Sequence, residues 1–198
     1  MEKFRTYICV GGMPQAIDAY INAKDYIVNI ARNISEPEVE LTTSVDYSDV
    51  KMFMGDTGLL VTKAIGDNKE YGNDLYKRII FDKDSSNLGS IYENVAAQIL
   101  KAKNYDLLFN TYLYVDKNLK SDKAKKYEVD FIIKNNKHVI PIEVKSSAFK
   151  NHKSLDNLYK KFKKKRDKSI IVYTKNYKVE DGITYIPIYM LPFEFLSL

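Results

Sequence analysis

Two strand-like runs, Tyr127-Glu128-Val129-Asp130-Phe131-Ile132-Ile133 and His138 to Ser146, flank the tetrapeptide Lys134-Asn135-Asn136-Lys137. No other feature of the chain constrains its fold as tightly. Asparagine is the non-glycine residue that best tolerates the positive φ of a tight turn, so the spacing predicts a β-hairpin with Asn135-Asn136 as its loop. In that register Lys134 pairs with Lys137 and Asp130 lies opposite Pro141. Side chains alternate along a strand, so Asp130, Pro141, Glu143 and Lys145 are expected on one face. Phe131, Ile133, Ile140, Ile142 and Val144 take the other. A four-residue loop keeps this parity; a three-residue loop breaks it. Pro141 is a counter-signal, because proline inside a central strand forfeits a ladder hydrogen bond, and a bulge at that position is one way to accommodate it.

The polar face has a chemistry of its own. Asp130 and Glu143 become diagonal neighbours, roughly 7 Å apart at Cβ, and two carboxylates aimed into that gap can share a divalent ion. Hard oxygen ligands suit Mg²⁺ or Mn²⁺, with Lys145 placed to orient a water or steady developing negative charge on a phosphodiester. An arbitrary acid-x-lysine is more often an exposed salt-bridge ladder. Glu93 adds weight to the site reading: it lies about 20° around its helix from Leu100, beside the apolar stripe, where a carboxylate needs a partner.

That helix is predicted over Leu88 to Lys103, capped by Ser85, Ser86 or Asn87, with Leu88, Ile91, Tyr92, Val95, Ile99 and Leu100 as its apolar side. Strands follow over Leu107 to Val115 and over the two hairpin arms. Ser154 is expected to cap a further helix with the stripe Leu155, Leu158, Tyr159 and Phe162, and Ser169 to Thr174 and Ile183 to Tyr189 read as strands. The order α-β-β-β-α-β predicts an α/β fold with a mixed sheet flanked by helices. Upstream, Pro14 opens a predicted helix carrying Ile17, Tyr20, Ile21, Ile27 and Ile30, ending near Arg32 or Asn33. Residues 35 to 49 read as loop, 50 to 60 as a short helix and a turn, and 61 to 82 as helical. This places a boundary between residues 49 and 50.

The formal charge of +5 divides unevenly: residues 1 to 99 carry net −5 and residues 100 to 198 net +10. Lys160, Lys161, Lys163, Lys164, Lys165 and Arg166 sit in the basic half and fit a surface that grips a nucleic-acid backbone. A solvated lysine face accounts for them equally well. His138 and His152 are scattered, and the sixteen tyrosines have no spacing that marks a stacking platform. Cys9 has no partner for a disulfide, no apolar run is long enough to span a bilayer and the first residues lack a signal-peptide core, so a cytoplasmic protein with no membrane association is expected.

These motifs together resemble the PD-(D/E)XK nuclease-like domain at the C-terminus of many bacterial and archaeal AAA+ superfamily ATPases, a family long labelled a domain of unknown function. Val50-Lys51-Met52-Phe53-Met54-Gly55-Asp56-Thr57-Gly58-Leu59-Leu60 is similar to its K-x-y-x-x-D-x-G-L-L segment. Gly89-Ser90-Ile91-Tyr92-Glu93-Asn94-Val95 is similar to its G-x-x-x-E-N-x-V/A segment. The E-V-D-F and P-I-E-V-K motifs and Ile186-Pro187-Ile188-Tyr189 complete the match over residues 50 to 198. The resemblance implies a restriction-endonuclease-like core with Glu93, Asp130 and Glu143 as metal-site acids and Lys145 as the catalytic lysine. It implies a Mg²⁺- or Mn²⁺-dependent endonuclease or phosphodiesterase acting on DNA; the alternative is an inactive module that binds nucleic acid or protein.

Val10-Gly11-Gly12-Met13-Pro14-Gln15-Ala16 is similar to the G-G-M-P-E-A segment that closes the ATPase part of such proteins. No G-x-x-x-x-G-K-[ST] sequence occurs, so ATP hydrolysis is not expected of this chain. Residues 1–49 are read as a helical remnant of the ATPase-associated region. The chain fits a shortened member or a piece of one, and a homodimer through the N-terminal helix would cover apolar surface that an ATPase domain would otherwise hide.

Overall fold

The computed structural model describes residues 28–34, 45–65, 77, 88–115, 124–135, 138–147, 149–162 and 168–194. Within them the chain forms an α/β protein: eight strands in one mixed sheet and four α-helices. The strands are β1 (Val28–Ile34), β2 (Val45–Met54), β3 (Leu108–Tyr114), β4 (Lys125–Asn135), β5 (His138–Val144), β6 (Ser169–Tyr173), β7 (Lys178–Glu180) and β8 (Ile183–Pro187), in the spatial order β2-β1-β3-β4-β5-β6-β8-β7. The helices are α1 (Thr57–Ile65), α2 (Gly89–Ala102), α3 (Lys153–Lys161) and the single turn α4 (Leu191–Glu194), which follows a 3-10 turn at Ile188–Met190. Antiparallel pairs join β2-β1, β3-β4, β4-β5 and β8-β7; parallel pairs join β1-β3, β5-β6 and β6-β8.

Both faces of the sheet centre are covered. On one, α2 lays Ile91, Tyr92, Val95, Ala96 and Leu100 against Phe53, Phe109, Phe131, Ile133, Ile140, Ile142 and Val172. On the other, Leu155 and Leu158 of α3 meet Tyr112, Val129, Ile132, Ile171 and Tyr185. Burying each such aliphatic side chain contributes about 1.5–3 kcal/mol, which explains why β6, sandwiched between the layers, is buried throughout. The α2 stripe follows the predicted spacing. The helix stops where Asn104 turns left-handed (φ 62°) and the Tyr105 amide bonds back to the Leu100 carbonyl at 3.1 Å.

Several expectations need correction. Residues 28–34 form strand β1, so the predicted helix does not extend to Arg32; residues 14–27 lie outside the described residues. In Val28-Asn29-Ile30-Ala31 the alternation of side chains prevails over the helical spacing. It buries Ala31 against the α2-side core and leaves Ile30 half exposed beside its cross-strand partner Met52. Val50 to Met54 likewise belongs to β2 and the helix begins only at Thr57, with Asp56 accepting the Leu59 amide at 3.0 Å as its cap. The expected boundary therefore falls inside β2, in the same sheet as the later strands. Helix α3 starts after His152 rather than Ser154, without a side-chain cap bond, and Ser85, Ser86 and Asn87 lie outside the described residues.

The hairpin register also differs. Asn135 pairs with His138, Ile133 with Ile140, Ile132 with Pro141 and Phe131 with Ile142, so one step further on Asp130 comes level with Glu143 rather than Pro141. The shift sets apolar residues directly opposite one another and preserves which face each β5 side chain takes. Pro141 sits comfortably in β5. The Lys145 amide points to β6, where it bonds the Val172 carbonyl at 2.8 Å, so position 141 also has its nitrogen on that side. The β5-β6 ladder begins only at the Ile142–Ile170 pair, and no amide is missed.

Candidate functional site: acids at a β-bulge

The irregularity expected at Pro141 occurs instead in β4. Leu108 pairs with Ile132 and Asn110 with Val129, so two residues, Asp130 and Phe131, stand opposite the single Phe109. This is a β-bulge, with one extra residue in β4. Its effect on side-chain direction is direct. Val129 and Ile132 both join the α3-side core, whereas Phe131 and Ile133 join the α2-side core. Alternation fails at Asp130.

Asp130 uses the gap. Its carboxylate accepts the Val144 amide at 2.7 Å, an N–H directed at β4 just beyond the last β4-β5 pair. Burial pushes this carboxyl up to about 7 and the negative charge of Glu93 adds to the effect. The Val144 N–H and Lys51 oppose the shift, and Glu143 contributes a smaller upward push. Asp130 thus feels charges from both sides of the sheet.

On the α2 side, the ammonium of Lys51 in β2 lies 2.5 Å from Glu128 Oε1 and 3.4 Å from Glu93 Oε2. Burial pulls its pKa down, but Glu93, Glu128 and Asp130 outweigh that and leave it raised. Asn94 holds β2 in place: its side chain accepts the Met54 amide at 2.7 Å and donates to the Met54 carbonyl at 3.1 Å. Gln98, one turn on, accepts from the Thr57 amide and hydroxyl at 3.2 and 2.9 Å. The helix that carries Glu93 therefore fixes the strand that carries Lys51.

Glu143 and Lys145 belong to the other face, since Ile140, Ile142 and Val144 of β5 point to α2. Glu143 is only 2% exposed. Its Oε1 pairs with Lys145 Nζ at 2.5 Å, while its Oε2 is buried without a hydrogen-bond partner among the described residues. Burial raises its pKa against the pull of Lys145. His152 and Asp156, joined by a 3.0 Å contact, contribute smaller charge effects, and burial together with the charge of Glu143 pushes the Tyr112 phenol above its ordinary pKa.

The regular alternation behind the expectation that Asp130, Glu143 and Lys145 share one face is interrupted, because an extra residue stands in β4 between Val129 and Ile132. Glu93 and Glu143 each act on the charge of Asp130, but among the described residues no group of three His, Cys, Asp or Glu side chains is gathered closely enough to hold a metal ion. Of the basic stretch, Lys160 and Lys161 are exposed on α3, and Lys161 lies 5.4 Å from the Tyr112 ring. Residues 163–166 lie outside the described residues. Sequence reasoning missed Lys51, Glu128 and Asn94, although all three stand inside the quoted motifs.

The fold and the bulge-centred acids define an α/β protein with charged groups buried beside the middle of a mixed sheet. Residues 88–191 match the family described as Domain of unknown function (DUF4143), more than half of the chain, and the protein belongs to that family. The matched segment holds Glu93, Glu128, Asp130, Glu143 and Lys145, whereas Lys51 precedes it. No curated protein and no solved structure matches the chain. Among the described residues no helix is long and apolar enough to cross a membrane.

Proposed function

We propose that the protein is a divalent-metal-dependent phosphodiesterase acting on DNA, built on a restriction-endonuclease-like core. The observation that carries this reading is Glu143: a carboxylate 2% exposed, with Oε2 unpartnered, one strand away from Asp130. An unsatisfied carboxylate oxygen in the interior costs free energy unless something completes its coordination. The nearby donors are carboxylates rather than thiols, a set that suits Mg²⁺ or Mn²⁺. In this reading the ion would draw Glu93, Asp130 and Glu143 closer together than they stand here, and when bound it would supply Lewis acidity at a phosphodiester. Lys145 pulls against the burial that raises the Glu143 pKa and would offer a positive charge to the negative charge that develops on the phosphate.

The test is cleavage of single-stranded, duplex and branched DNA with Mg²⁺ or Mn²⁺. Cutting that disappears in folded Asp130→Ala and Lys145→Ala proteins supports the reading; no cutting of any substrate, with metal binding measured, overturns it. A noncatalytic nucleic-acid-binding module is the second reading, favoured by the closed Glu143–Lys145 ion pair. It predicts salt-dependent DNA binding that ignores Asp130→Ala and weakens when Lys160, Lys161 and residues 163–166 are neutralised.

A further inference from the structure

We propose that the tyrosine row Tyr112, Tyr127 and Tyr114 beside α3 is a stacking platform for the bases of single-stranded DNA, with Lys125, Lys160 and Lys161 as the cations that meet its phosphates. The inference deepens the DNA reading above and rests on it.

Tyr112 and Tyr127 are direct cross-strand partners in β3 and β4, and Tyr114 lies two positions on in β3, opposite Lys125. Alternation turns all four side chains to the α3 side of the sheet. There the rings of Tyr112 and Tyr127 stack with centroids 5.8 Å apart, and Tyr114 meets Tyr127 edge-on at 6.5 Å. Pairing of two strands makes this row, and no spacing along the chain reveals it. Helix α3 closes over one end only. The Tyr112 hydroxyl donates to the Ser154 carbonyl in its first turn, Phe162 just past its last turn meets the Tyr112 ring edge-on, and Tyr112 is left 4% exposed. Tyr127 and Tyr114 are half-buried, packed against the same core without being enclosed by it. The covered ring fixes the row, and the two open rings offer π-surface to a ligand.

The charge beside these rings is positive. Lys125, Lys160 and Lys161 are exposed. Lys51, Lys145, Lys168 and Lys178 each meet a carboxylate, whereas Lys161 faces rings, its Nζ 5.4 Å from the centroids of both Tyr112 and Phe162. Aromatic faces flanked by ammonium groups suit a polyanion whose bases stack. Every base has such a face, but in a duplex the neighbouring pairs cover it, so the platform suits a single strand and is tolerant of sequence. The row also has a direction. Tyr127 precedes Asp130 by three residues, roughly 10 Å along β4, so a strand stacked on it extends towards the level of Glu143.

The test measures binding of the full chain to fluorescein-labelled dT12 and to a duplex of the same length, by anisotropy in EDTA, so that neither metal nor cleavage enters. Wild type is expected to prefer the single strand. Tyr127→Leu and Tyr114→Leu should each weaken dT12 binding roughly five-fold or more, Tyr127→Phe should bind as wild type does, and Lys161→Gln should lower the slope of log affinity against log salt by about one. Full binding by both leucine variants, or a preference of wild type for the duplex, overturns the inference alone. Tighter binding of rU12 than of dT12 overturns the choice of DNA. No binding of any strand by wild type overturns the DNA reading and this inference with it. A readout on wild type guards against a misfolded variant: a 5-iododeoxyuridine oligonucleotide should photocross-link to Tyr114 or Tyr127, mapped by mass spectrometry, and cross-links confined to other residues overturn the proposal. If these results hold and no DNA is cut with Mg²⁺ or Mn²⁺, the phosphodiesterase reading fails and the platform stands.

Discussion

The two sides of the bulge handle charge in opposite ways. Towards α3, one buried acid is matched to one lysine: Glu143 and Lys145 sit 2.5 Å apart in a closed pair. Towards α2, one lysine is divided among Glu93, Glu128 and Asp130, so negative charge is in excess. A matched pair is costly to break, and here it leaves Oε2 of Glu143 as the one oxygen with capacity to spare. A divided lysine leaves a local imbalance that another cation can relieve. The difference teaches that the two lysines carry different burdens: Lys145 neutralises one buried carboxylate, whereas Lys51 offsets repulsion among three.

The comparison can be attacked in order of expected effect. Lys145→Met should be the most damaging: it leaves the buried Glu143 charge without its partner and should cost about 3–5 kcal/mol in urea unfolding, little relieved by salt. Replacing both members with leucine should recover most of that loss. If the single substitution is harmless, the α3-side pair is not the closed unit described here. Lys51→Met should cost less, roughly 1–2 kcal/mol, and the cost should shrink at high salt, because Lys51 and its partners are partly exposed and what remains is repulsion among acids.

Asp130 supplies a pH test. Its folded-state pKa near 7 lies above the ordinary 3.8, so between those values the folded protein holds a proton that the unfolded chain has released. Stability from this group is therefore fullest below about pH 4, falls as pH rises towards 7 and is flat beyond. Asp130→Asn should gain roughly 1–3 kcal/mol over wild type at pH 8 and nothing at pH 4, measured by thermal unfolding at both pH values. A variant that tracks wild type at both would place the Asp130 charge in a solvated setting. The smallest effect expected is the coupling between Lys51 and Glu128 in a double-mutant cycle, about 0.5–1 kcal/mol at low salt.

Much of this was legible from residue order. The α2 stripe, the hairpin arms and Glu93 at the margin of an apolar face followed from periodicity, because packing there agrees with local pattern. The shortfalls have identifiable causes. Val28 to Ile34 carries apolar residues that satisfy a helical spacing and an alternating one, and pairing with β2 decides between them. The strand β7 was overlooked although Asp181-Gly182, with φ of 51° and 73°, is the kind of dipeptide that turns a two-residue hairpin. The bulge left no compositional mark: Val129-Asp130-Phe131-Ile132 reads as a regular strand, and only its two neighbours reveal that one residue is surplus. Lys51 and Glu128 were in plain view, but contacts across 42 and 77 positions have no local signature.

That surplus residue makes the site a matter of counting as well as composition. Shortening β4 by one position between Val129 and Ile132 would let the β3-β4 ladder run unbroken and return the acid's position to strict alternation. Strand pairing would improve, seen as slower amide exchange in β3 and β4, while an aspartate in the healed strand would answer to one side of the sheet only. The two charge systems would then titrate independently, as separate domains do. A small flaw in the weave is what makes them one circuit.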